Sequence, residues 1–222
     1  MDVFEAIRTR RSIRKYKDKQ VPWDNVVTIL HAGRYAPSAG NLQNWKFIVV
    51  KSDAKRNAIA KACLNQEWIE TAPVHIIVVA EPAQAERYYG TRGARLYTIQ
   101  GCAAAIENML LTAHSLGLGS CWIGAFDEDE IWRILVLPEE VTVQGVITIG
   151  YADETPQEPP KKRIEHVTFP GEKFWGRIES PKSYLGMWSQ FNVRAVDQTK
   201  KLAKKIHKKV KERINKRLGK NS

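Results

Sequence analysis

Arg10-Arg11-Ser12-Ile13-Arg14 places three guanidinium groups and a hydroxyl in five consecutive residues. In an extended run, Arg10, Ser12 and Arg14 share one face while Arg11 and Ile13 share the other. Guanidinium forks bind phosphate bidentately and a hydroxyl fills a remaining acceptor position, so the chemistry expected here is anion binding. A solvated basic run is the plainer alternative. A second polar group follows at Pro37-Ser38-Ala39-Gly40-Asn41-Leu42-Gln43-Asn44-Trp45. Its small residues let backbone approach a flat ligand, and Ser38, Asn41 and Gln43 carry the donors and acceptors that read a uracil-like edge. An ordinary Asx-rich turn before a strand has the same composition.

Two later segments extend the pattern: Gly117-Leu118-Gly119-Ser120-Cys121-Trp122-Ile123-Gly124-Ala125-Phe126, and Pro160-Lys161-Lys162-Arg163. In this order the four resemble the nitroreductase family of flavin mononucleotide enzymes, over roughly residues 2 to 165. The resemblance implies an α+β fold with a central, mainly antiparallel sheet flanked by helices, in an intertwined homodimer. It also implies FMN as cofactor, NADH or NADPH as reductant, and a small acceptor (nitroaromatic, quinone or flavin) reduced in a ping-pong cycle.

Carried over residue by residue, the resemblance puts Arg10 and Ser12, with Lys161 and Arg163, on the FMN phosphate, and Arg11 beside them. Arg14 is the cation expected near flavin N1 and the C2 carbonyl. The backbone amide of Gly124 is expected at N5, with Trp122 and Ile123 packed near the ring and Asn65 and Gln66 at the pyrimidine edge. Pro37, Ser38, Ala39, Asn41 and Gln43 are expected to reach the flavin of the other subunit. Arg14 and Gly124 are thus the candidate catalytic groups. No acid or nucleophile is demanded, because hydride transfer between stacked rings relies on proximity and orientation. His31 and His114 read as packed histidines. Two alternatives stand beside this reading: a same-fold reductive dehalogenase or flavin-fragmenting enzyme, and a non-catalytic flavin-binding module that docks partners through its basic tail.

Length and composition fit one sizeable core: 222 residues, 43% hydrophobic. Three cysteines without metal-type spacing predict no metal site and a reducing compartment. Met1 to Glu5 lacks a basic stretch followed by an apolar run, so a cytoplasmic location is expected. The net charge of +11 is uneven: Arg194 to Ser222 carries 12 Lys or Arg against 2 acidic residues, leaving 23 basic against 22 acidic elsewhere. The division expected is a flavin-binding domain at 1–166, an irregular aromatic-rich arm at 167–193 and a basic amphipathic helix at 194–222. Docking on protein is the favoured role for that helix; contact with nucleic acid or an anionic membrane surface follows from charge alone.

The elements that must position these residues are legible in the periodicity. Helices are predicted at Val3 to Arg8, Pro22 to Tyr35, Ala54 to Leu64, Tyr97 to Leu116 and Asp127 to Leu135. Strands are predicted at Lys46 to Val50, His75 to Ala80, Ser120 to Ile123 and Gln144 to Tyr151. Val3, Phe4 and Ile7 are expected to face the core. Gln84 to Arg95, with Tyr88, Tyr89, Arg92 and Arg95, reads as a lid over the flavin or an exposed connection.

Overall fold

The computed structural model describes residues 1–168; the arm and the basic helix expected beyond them lie outside the described residues. The Asp2 carboxylate accepts from the Glu5 amide and starts α1 (Val3–Thr9). The chain continues through α2 (Trp23–Arg34), β1 (Trp45–Val50), α3 (Asp53–Ala62) and β2 (Val74–Ala80). It then forms α4 (Pro82–Arg92), α5 (Thr98–Ser115), β3 (Gly119–Ile123), α6 (Glu128–Leu135) and β4 (Thr142–Gly150).

The four strands form an antiparallel sheet in the order β1-β2-β4-β3. Every residue of β2 is buried, as a strand covered on both faces must be. Val74, Ile76 and Val78 point to one side, packing with Val26 and Ile29 of α2 and with Cys102, Ile106 and Met109 of α5. Ile77 and Val79 point to the other, packing with Ile59 of α3, Ile131 of α6 and Ile123 of β3. This split follows from the two-residue period of a strand. Between Val78 and Val79 the register against β4 shifts, where Val78 faces Gly145 and Val79 faces Val143.

Two sequence expectations need correction, and a third segment is more regular than its sequence suggests. Val3, Phe4 and Ile7 do not enter the core: they are 74%, 68% and 54% exposed, and only Ala6 of α1 is buried. The sheet and its helices close without them, so α1 leaves its apolar stripe outward. His31 is exposed on α2 and is not packed. Gln84 to Arg95 is helical: α4 contains Gly90 at φ 59°, and a π-helical turn, Gly93–Tyr97, leads into α5. Tyr89 meets Tyr97 edge-on at 5.4 Å, and Arg92 Nε donates to the Tyr97 hydroxyl at 3.1 Å. That segment escaped detection because only Ala85 of α4 is buried, which leaves no apolar period to see.

Cys63, Cys102 and Cys121 are buried free thiols. Burial pushes Cys63 and Cys102 up to about 12 and also raises Cys121, against the opposing influence of Arg14. Among the described residues no helix is long and apolar enough to cross a membrane. Lys161 and Arg163, both exposed, fall in a second compact unit that begins at Pro159 and contains the 3-10 turn Ile164–His166.

Candidate active site

The arginine segment is held to β3 by backbone pairing. Ser12 bridges Ser120, and the Ile13 amide donates to the Ser120 carbonyl at 3.0 Å. Gly119 permits this approach, since a Cβ there would lie 2.8 Å from Ile13. Ile13 is fixed in turn by the Tyr16 hydroxyl, which donates to the Ile13 carbonyl at 2.7 Å. Having spent its proton, Tyr16 Oη accepts from Thr148 Oγ1 at 2.8 Å on β4.

This places Arg10 and Arg11 on the wall of a cavity of about 480 Å³ that is also lined by Ile13, His114, Ser120 and Glu154. A volume of this size lies in the range of small-molecule sites. Two of its polar atoms, Arg10 Nε and Ser120 Oγ, are buried without a hydrogen-bond partner. Arg10 Nε lies 3.4 Å from Glu107 Oε1, close enough for an ion pair but without hydrogen-bond geometry. Arg11 folds back, donating to the Arg8 and Arg10 carbonyls at 2.8 Å each, and pairs with Glu158 at 3.3 Å. Two cations beside a buried hydroxyl that has no hydrogen-bond partner suit a phosphate group.

Arg14 leaves this group in another direction. Its guanidinium lies over the Trp68 ring, 5.9 Å from the centroid, and its amide donates to Glu154. Trp68 belongs to the 3-10 turn Glu67–Thr71 that follows Asn65 and Gln66, and it packs against the clusters holding both Ile13 and Ile123. Arg14, the Asn65-Gln66 segment and the end of β3 therefore lie around one side chain that sequence reasoning missed. Asn65 is exposed with φ 55°, whereas Gln66 Nε2 donates to the Cys63 carbonyl at 2.9 Å.

Along β3, Cys121 and Ile123 are buried while Trp122 is 39% exposed, the alternation expected of a strand. Gly124, just past the strand, is exposed, and nothing lies within 4 Å of a Cβ built on it. Ser120 and Gly124 are thus about 13 Å apart along an extended chain, with the arginine-lined cavity at one end and an exposed glycine at the other.

The Pro37–Gln43 loop lies elsewhere in the protomer. Ser38 Oγ accepts from the Gln43 amide at 3.0 Å, and the Gln43 side chain donates to Asn41 Oδ1 at 3.1 Å, so the loop is tied internally. Gly40 turns at φ 56°, where a Cβ would strike the Tyr89 hydroxyl at 2.4 Å. Ser38 approaches Gly101 near the start of α5, while Thr9 bonds His114 at 2.8 Å near its end. These positions are thirteen residues apart on α5, about 20 Å. Within one chain the loop and the arginines do not converge. Pro37, Asn41 and Gln43 are exposed, and Ala39 is half-buried.

The fold is similar to that of the FMN-dependent nitroreductase of Clostridium difficile, with a TM-score of 0.66 and 28% identity, over 77% of this chain and 99% of that one. The nitroreductase family model matches residues 7–73 and 60–151, and the chain belongs to the nitroreductase family. It is 39% identical over 160 residues to an NADH dehydrogenase/NAD(P)H nitroreductase of Methanothermobacter thermautotrophicus, covering 70% of this chain and 80% of that protein. It is also 28% identical to the NAD(P)H-using FMN reductase of Bacillus subtilis, over 74% of this chain and 73% of that one.

Proposed function

We propose that this chain is an FMN-dependent NAD(P)H oxidoreductase that reduces a small acceptor (a nitroaromatic, quinone or flavin) by a ping-pong cycle. The observation that carries this reading is the cavity at the start of β3, lined by two arginines, where Ser120 Oγ is buried without a hydrogen bond and Arg10 Nε is buried with an ion-pair contact to Glu107 but no hydrogen bond. FMN, when bound, supplies two-electron chemistry between nicotinamide and acceptor.

The chain's own residues then have distinct tasks. Arg10, Arg11, Ser12 and Ser120 bind the phosphate, with Lys161 and Arg163 assigned to the same end by family resemblance. Arg14, braced on Trp68, holds positive charge near the pyrimidine edge, where it stabilises the negative charge that reduction places on the ring. Gly124, exposed and with space where a side chain would stand, is assigned the backbone donor at the flavin by family resemblance, and Ile123 and Trp122 precede it. Asn65 and Gln66 supply amides at the ring edge. Pro37, Ser38, Ala39, Asn41 and Gln43 complete the site from a second copy of the chain, since they lie at the far end of α5 from the arginines in their own. Buried, free thiols suit a reducing, cytoplasmic setting.

The absorption spectrum of the purified full chain tests this directly. A flavin band is expected that bleaches on adding NADH or NADPH under argon and returns on adding a quinone. Arg10→Ala is expected to lose most bound FMN, because a charge-assisted hydrogen bond contributes roughly 1.5 to 3 kcal/mol. Colourless protein that takes up no FMN would refute the proposal.

A further inference from the structure

His114 lines the same cavity from the last turn of α5, and family resemblance gave it no task. Its hydrogen bonds fix its tautomer. Thr9 Oγ1 donates to the Glu5 carbonyl at 2.7 Å, because a carbonyl only accepts. The hydroxyl proton is then committed, so the 2.8 Å contact with His114 Nε2 requires that nitrogen to donate. Nδ1 is the ring nitrogen that this contact leaves over, on a half-buried side chain at the cavity wall.

We propose that His114 is a ligand of the FMN phosphate, adding an Nδ1–H to the anion seat of Arg10, Arg11 and Ser120 and taking up a proton as the phosphate enters. This rests on the FMN reading above. Without a ligand, burial, Arg10 and Arg11 disfavour the imidazolium, while Glu5 favours it. Further charged groups face this seat: Glu107 of α5, which pairs with Arg10, Glu158, which pairs with Arg11, and Glu154 and Met1, the amino terminus, which line the cavity. A phosphate dianion between the two arginines reverses that balance. Its charge offsets theirs, and the protonated ring gains an acceptor at Nδ1 while Nε2 keeps its bond to Thr9. The step balances as one proton from solvent moving to Nδ1.

The test is calorimetry of FMN and of riboflavin, which lacks the phosphate, binding to the full-length chain stripped of flavin. Titrations near pH 7.5 in two buffers of different ionisation enthalpy give the protons taken up per FMN. His114→Gln retains a donor for Thr9 but cannot take a proton. Wild type is expected to take up more protons than the variant, by up to one per FMN, and the variant to bind FMN about tenfold more weakly at pH 6.5. Riboflavin affinity is expected to be equal in the two proteins. Equal proton uptake by wild type and variant would overturn the inference and leave the FMN reading standing, as would an equal loss of riboflavin affinity, which would mark a structural role through Thr9. Failure of wild type to bind FMN would overturn both.

Discussion

His75 is the second residue of β2, fully buried, with Nε2 donating to the Ile69 carbonyl at 2.8 Å and Nδ1 buried without a hydrogen-bond partner. Burial pushes it down to about 4; nearby Arg56 acts in the same direction and the Ile69 carbonyl against it. The unfolded chain therefore takes up this proton first as pH falls. Stability from the neutral imidazole is fully present above the ordinary value of 6.5 and is lost as pH drops towards about 4. The total effect is roughly 3 kcal/mol. Urea midpoints measured at intervals from pH 7.5 to 4 are expected to fall more steeply in wild type than in His75→Gln, which keeps a donor for Ile69 but does not titrate. Matching slopes would refute this account of His75. At this scale the sequence was informative only where chemistry repeats along the chain. Arg10, Arg11 and Ser12 announce an anion by proximity, whereas Trp68 under Arg14 and His114 beside Thr9 depend on contacts between distant residues that no local pattern encodes.

Arg56 ties α3 to the segment that bears Trp68. Its guanidinium donates to the Glu70 carbonyl, to the Ala72 carbonyl at 2.6 Å and to the Lys51 carbonyl at 3.3 Å, and it pairs with Asp53. The side chain is only 11% exposed, so its loss leaves carbonyls without donors. Arg56→Ala is expected to cost about 3 kcal/mol in denaturant unfolding, and Arg56→Lys to recover only part of that, because an ammonium cannot span divergent carbonyls as a planar fork does. Full recovery by lysine would show that charge alone is needed there. The strands and long helices were readable because burial on both faces leaves unbroken apolar runs, as in β2, or a stripe, as in α5. The turn Glu67–Thr71 has neither, and α1 has a stripe that points outward.

That outward stripe is a surface we propose for an interface between two copies of the chain. Val3, Phe4 and Ile7 are exposed along with Tyr35, and a groove of about 420 Å³ runs beside them between α1, α2 and α5. Apolar side chains in this number on one side of a protein favour an interface. A second copy of the chain is the proposed occupant, since it would also bring the Pro37–Gln43 loop to the other copy's flavin. Sedimentation of the full chain is expected to give a dimer, and Phe4→Asp with Ile7→Asp to give a folded monomer that holds FMN poorly. An unchanged dimer in that double variant would move the interface elsewhere. Sequence periodicity showed the stripe but not its direction, because a helix's apolar face looks the same whether its own core or a neighbour covers it.

The three packed thiols bear on how such a protein endures its own chemistry. Reduced flavins leak electrons to dioxygen, and hydrogen peroxide attacks cysteine as the thiolate. With Cys63, Cys102 and Cys121 all buried and their thiols shifted upward by that burial, peroxide from idle turnover would meet no ready thiolate among them, whereas Met1 and Trp122 stand exposed.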